Sequence, residues 1–263
     1  MLAVLFLFNI VVSQSFGAPS AQEIMTKNDE VRRVTTVIAQ AKMVTGGPSV
    51  TTREKQFIWW RKLTSDNVHN DTLTRFKYPP DVKNEGILFL EKNGDMDVQI
   101  YLPNFKKIRR VETGQQSSSF MGSELSYSDI APPHVDEFTY KLKTEESCPG
   151  DEKVKCWVIE STPANDSVKD RTGVGLATSW IRQDNYMAAK ILSNDLTGNL
   201  WKTLEASDIQ KVDTKLGKWM ALHLKMTTSK TGHFTDLQFS DVKVNTPVPE
   251  STFTAQNLSR ETP

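Results

Sequence analysis

Histidine, serine and cysteine are the residues here whose chemistry would be worth most, and their spacing supplies little of it. His69, His134, His223 and His233 are scattered through the chain, with no His-x-x-x-His or HExxH pair. Each therefore reads as a surface or strand residue, and no metal is expected. Gly122-Ser123 is the nearest imitation of a nucleophile elbow, but no G-x-S-x-G occurs and no base is placed beside it. A lipid hydrolase is thus the weakest reading, and Ser123 would be its nucleophile. Gly173-Val174-Gly175 is too short for a phosphate loop. No catalytic residue and no cofactor is expected.

Cys148 and Cys156 bracket a Pro-Gly turn in CPGDEKVKC. In an oxidising compartment such a pair reads as a disulfide, worth roughly 2.5 kcal/mol for so short a loop. Free thiols or half a zinc site are the alternatives. The other concentrated chemistry is positive: Lys106, Lys107, Arg109 and Arg110 follow Tyr101-Leu102-Pro103. The cluster is either a solvated strand end or a cavity-rim contact for an anionic headgroup or a partner. Arg109 and Arg110 would point to opposite faces of a strand. One of them would then reach inward to Glu124 or Asp129, as a structural Arg–carboxylate pair or a ligand contact.

An apolar ligand needs a wall without directional polar demands, and aromatics offer one. Trp59, Trp60, Phe89, Trp157, Trp180, Trp201 and Phe239 are the material for a cavity, although most such residues are ordinary core. Leu102, Phe120 and Met121 join Trp60, Phe89, Trp180, Trp201 and Phe239 as the expected cavity set. Phe120–Ile130 reads as a loop with a short helix that gates the cavity, or as a packed loop sealing the barrel end.

These residues must be positioned by strands. Residues 1–12 are apolar apart from Asn9, and Ser15 and Gly17 precede a plausible cut before Ala18. Residues 1–17 are expected to be a secretory signal, too short to span a bilayer, which takes roughly 20 residues. No Lys or Arg precedes the run, which leaves an upstream start open. Residues 18–263 are expected to form a single domain, since no linker or repeat interrupts them. Lys plus Arg and Asp plus Glu balance at 32 each, which removes the electrostatic case for nucleic acid. A helix is expected over 20–44, opened by a Ser20/Glu23 capping box and carrying Ile24, Val31, Val34, Ile38 and Ala41 at helical spacing. Beyond Pro48 the pattern becomes short runs of period two. Met220, Leu222, Leu224 and Met226 alternate with Ala221, His223 and Lys225, and turns such as Thr197-Gly198-Asn199 punctuate the series. Short turns make consecutive strands antiparallel neighbours. A sheet of about 11–12 strands must curl or close to manage its edges.

The middle of the chain carries specific text. Leu73-Thr74-Arg75-Phe76 leads to Pro79, Asp81, Val82 and Lys83. Tyr101-Leu102-Pro103, Arg109-Arg110 and Phe120-Met121-Gly122-Ser123-Glu124-Leu125-Ser126-Tyr127-Ser128-Asp129-Ile130 follow, and Pro249, Phe253, Asn257 and Leu258 close the series. The series resembles the bacterial outer-membrane lipoprotein-sorting family, which shares the fold of the periplasmic carrier LolA. Asn84, Gln99, Glu124 and Ser128 depart from its usual residues. The resemblance implies an α+β, predominantly antiparallel β fold: a half-open, curled barrel covered by the N-terminal helix and a short lid helix, with an apolar cavity. Arg75, Lys107, Arg109, Arg110, Glu124 and Asp129 become its candidate rim or motif contacts. It implies a monomeric periplasmic carrier of lipid or lipoprotein acyl chains, beside an inner-membrane efflux-type exporter. The alternative is a non-carrier accessory or scaffold subunit of an envelope transport complex.

Overall fold

The computed structural model describes residues 18–260, apart from Asn67, Asn93, Gly94, Pro132 and Pro133. The expected signal segment, 1–17, lies outside the described residues.

Helix α1 (Ala21–Arg32) opens on the expected capping box: Ser20 Oγ accepts the Glu23 N–H at 3.2 Å, and Glu23 accepts the Ser20 N–H at 2.7 Å. It stops well short of residue 44. The helix expected over 20–44 is corrected to a helix followed by strand β1 (Thr36–Gly47). The run Val34-Thr35-Thr36-Val37-Ile38 is β-branched and stiff at χ1, which favours strand. Burial then alternates, with Val37, Ala39, Ala41 and Met43 inside and Gln40 and Lys42 outside. The helical spacing of Val34, Ile38 and Ala41 is coincidental.

Twelve more strands follow: β2 (Val50–Leu63), β3 (Asn70–Tyr78), β4 (Gly86–Lys92), β5 (Asp95–Leu102), β6 (Lys107–Val111), β7 (Phe138–Cys148), β8 (Asp151–Pro163), β9 (Leu176–Arg182), β10 (Ala188–Asn194), β11 (Leu200–Asp213), β12 (Lys218–Thr228) and β13 (Phe234–Val244). Among the described residues three further α-helices are short: α2 (Tyr127–Ile130), α3 (Asp166–Thr172) and α4 (Ala255–Leu258). The strands form one antiparallel sheet in the order β6-β5-β4-β3-β2-β1-β13-β12-β11-β10-β9-β8-β7. The count is thirteen rather than the expected 11–12, and the extra strand is β1. It joins the two runs by pairing with both β2 and β13.

That order has a consequence for the interior. The free edges, β6 and β7, are consecutive in sequence, so residues 112–137 must cross from one edge of the curled sheet to the other. This crossing holds Phe120–Ile130. Phe120 is fully buried, and its ring meets Tyr127 at 5.7 Å, Phe76 at 6.3 Å and Phe89 at 6.4 Å. Together with Phe57, Ile87, Val98 and Ile100 these rings fill the half of the concave face formed by β2–β6. On the opposite face of β3–β5, the C-terminal segment brings Val248, Phe253 and Leu258 against Leu73, Leu88 and Tyr101. Helix α1 sets Ala21 and Ile24 on Trp157, Ile159 and Ile181 of β8 and β9.

The disulfide between Cys148 and Cys156 is present, with Cα atoms 5.0 Å apart, and staples the β7–β8 hairpin. No helix among the described residues is long and apolar enough to cross a membrane.

Candidate ligand cavity

The other half of the concave face is not filled. A cavity of about 410 Å³ lies under α1 and α2, a size within the range of roughly 300–1,000 Å³ typical of small-molecule sites. Its wall is mostly apolar, with Trp59, Ile191, Leu204, Met220, Leu224 and Phe239 as the larger contributors. The space exists because small residues stand at inward positions of β9–β12: Ala177, Ala188, Ala206 and Ala221. Trp59 and Phe239 meet in this wall, with ring centroids 5.2 Å apart and planes tilted by 38°.

Of the expected cavity residues, Phe239 is in this wall. Phe89, Phe120, Met121 and Leu102 belong to the filled half or its border. Trp60 packs with Ile38 and Leu90 against the cluster on the opposite face, so its neighbour Trp59 is the tryptophan that faces the cavity. A strand of period two allows only one of the pair inside. Trp180 packs on the disulfide, beneath Lys190. Trp201 abuts Gly173 and carries Lys202 over its ring at 4.0 Å. These placements correct the expectation that Trp60, Trp180 and Trp201 line the cavity.

The expected rim residues also disperse. Lys107, Arg109 and Arg110 are exposed on β6, and Arg110 pairs with Asp97 at 3.3 Å. Charges along a free edge discourage pairing with another sheet. Neither Arg109 nor Arg110 is paired with Glu124 or Asp129. Glu124 instead accepts the Thr228 hydroxyl, and its N–H donates to Thr235 Oγ1 at 2.7 Å, fixing the crossing loop to β12 and β13. Asp129 accepts the Ser126 N–H and hydroxyl at 2.7 Å each, capping α2, and meets the buried Lys202 ammonium at 3.2 Å. The Ser126-x-x-Asp129 capping box was readable from the sequence. Arg75 is not at a rim. It is buried, and its guanidinium donates to the carbonyls of Leu258 at 2.8 Å, Asn257 at 2.9 Å and Asn84 at 3.1 Å. Gly86 permits this clamp, since a Cβ there would meet Leu258 at 2.8 Å.

Ser123 is buried, and its hydroxyl donates to the Phe120 carbonyl at 2.6 Å. It is spent on holding the loop, beside Met121 and Gly122 in left-handed conformation. Lys55 adds a bond to the Met121 carbonyl at 2.7 Å.

The histidines are less scattered in space than in sequence. His69, Glu91 and His134 bring ligating atoms within 4.8 Å of one another, which could hold a metal ion. The group is also satisfied internally. Glu91 meets His134 Nε2 at 2.5 Å and accepts the Asn70 N–H at 3.0 Å, while His69 Nδ1 meets Asp66. The hydrogen bond to Glu91 raises the His134 pKa, against the opposing effect of burial.

Two arginines that no motif singled out line the cavity where it adjoins a small polar pocket. Arg32 ends α1 and Arg61 follows the aromatic pair on β2; both line the cavity. Burial, and then the neighbouring Arg32, push the Arg61 guanidinium down to about 10. Burial likewise raises the Tyr140 hydroxyl in the same wall.

A half-open antiparallel sheet curled round an apolar cavity, with a packed crossing loop, is the LolA-superfamily fold. A domain designated an outer membrane lipoprotein-sorting protein, from Vibrio parahaemolyticus, superposes with a TM-score of 0.82 at 24% identity, over 91% of this chain and 98% of that one. A DUF1329 family protein from Desulfovibrio piger gives 0.83 at 24% identity, over 90% and 97%. A LolA superfamily protein from Nitrosomonas europaea gives 0.70 at 20% identity, over 91% and 100%. A family profile described as "-like: Uncharacterized protein" matches residues 69–260, and the chain belongs to that family. No curated protein matches the sequence.

Proposed function

We propose that the protein is an exported carrier that holds the acyl chain of a lipid or lipoprotein in the cavity between α1, α2 and strands β9–β13. The observation that supports this most is the unequal interior: one half is packed with phenylalanines, while the other keeps an apolar space of about 410 Å³. An acyl chain entering it gains about 0.8 kcal/mol per buried CH₂ without requiring fixed polar partners, so loading can be reversed. The disulfide fits an oxidising compartment, which for a bacterial carrier is the periplasm. Delivery from an inner-membrane efflux-type exporter is part of this reading, and the protein acts as a monomer without metal or cofactor. Native mass spectrometry of protein purified without detergent tests it. The expected spectrum contains a lipid adduct in the mass range of a single acyl-bearing molecule. Apo protein alone, still apo after incubation with lipid, overturns the reading.

A further inference from the structure

Positive charge gathers where the apolar cavity meets a smaller polar pocket. Arg32, Arg61 and Ile130 line both the large apolar cavity and a second, polar pocket of about 40 Å³ beside it. The arginines therefore stand at the junction where an amphiphile changes from tail to head.

Their own partners are few. Among the described residues Arg61 Nε is buried with no hydrogen-bond partner, and Arg61 Nη2 donates to the Arg32 carbonyl at 3.4 Å. The guanidinium lies 5.3 Å from the Trp59 ring centroid, which supports its face without taking up an N–H donor. Arg32 Nε donates to the Asn28 carbonyl at 3.1 Å, and Arg32 Nη2 stays 3.8 Å from Asp29. Asp29 is meanwhile held closely by Arg33. Arg32 and Arg61 thus line a pocket whose nearest carboxylate, Asp29, is already taken up by Arg33. The other acids nearby are engaged: Glu91 with His134, and Asp129 with Lys202. Leaving a buried donor unmatched is costly, and guanidinium is the side chain best shaped to take a carboxylate or phosphate in two parallel bonds.

We infer that the ligand is an amphiphile with an anionic head, a carboxylate or a phosphate, received by Arg61 and Arg32 while its acyl chain occupies the cavity. The inference rests on the carrier reading and narrows it: a neutral chain of the same length is the poorer ligand.

Calorimetric titration of the full chain with palmitate, hexadecyl phosphate and 1-hexadecanol, each below its aggregation limit, tests it at pH 7.5. The expected result is binding of one or both anions at least tenfold tighter than the alcohol, and their order tells carboxylate from phosphate. Arg61→Met should remove most of that advantage, and a circular dichroism spectrum matching the wild type shows that the variant is folded. Arg61→Lys keeps the charge without the fork and should fall between. Equal binding of anion and alcohol to the wild type, or an Arg61→Met protein that keeps the preference, overturns the inference while leaving the carrier reading intact. Failure of all three ligands to bind overturns both.

Discussion

Arg61 Nη2 lies 3.4 Å from the backbone carbonyl of Arg32, so the second strand is tied to the end of the first helix by a cation set beside another cation. Burial and the Arg32 charge lower the Arg61 pKa from 12.5 to about 10. Between those values the unfolded chain binds more protons than the folded one, so stability rises with pH across that window. Below about pH 10 both states are protonated and the penalty is constant. Replacing Arg61 by Met should therefore raise the stability of the ligand-free protein by on the order of 1 kcal/mol. That corresponds to a melting temperature higher by about 2–4 °C at neutral pH. Thermal denaturation of delipidated wild type and variant measures it. A gain in stability together with a loss of anion binding is the signature of a residue kept for function.

Arg75 should behave in the opposite way. Its guanidinium holds the carbonyls of Asn257 and Leu258, and with them the segment that covers Leu73, Leu88 and Tyr101. Arg75→Ala should cost about 3 kcal/mol, since each hydrogen bond to a charged group contributes about 1.5–3 kcal/mol. Limited proteolysis should then cut the variant within residues 249–260 faster than the wild type. Arg75→Lys, lacking the planar fork, should recover only part of the loss.

The contact between His134 and Glu91 predicts a pH dependence. The hydrogen bond to Glu91 raises the His134 pKa above its usual value of 6.5. Its contribution is fully present below that value and disappears as pH rises through the folded pKa. Wild type should lose stability relative to His134→Gln as pH is taken from about 6 to 9. Denaturant midpoints measured across that range check it, and parallel curves would remove His134 as the cause.

The strands were largely legible because their runs alternate and their turns carry Gly, Asn or Pro. The short runs expected beyond Pro48 fall on strands, the alternating Met220–Met226 run on β12 among them. The strand β1 was missed because Val34, Ile38 and Ala41 fit a helical period as well as a strand, and only pairing with β2 and β13 decides between them. The face of each strand was harder to read. Phe57-Ile58-Trp59-Trp60 has no polar alternation, so the sequence offered no reason to turn Trp59 inward and Trp60 outward. Aromatics were a poor guide to the cavity for a physical reason: large side chains fill space, and a void needs small ones such as Ala177 and Ala206. Arg61 carried no signal, because a lone arginine ending an aromatic run is most often at the surface.

Those small residues provide the most direct measurement of the central claim. Ala206 on β11 lines the cavity, so Ala206→Trp should fill the space with a large side chain. Fluorescence titration with a conjugated polyene fatty acid should show saturable, one-to-one binding to delipidated wild type. Ala206→Trp should bind at least tenfold more weakly, with unchanged circular dichroism. Equal affinity in the two proteins would place the ligand elsewhere and contradict a carrier built around this cavity.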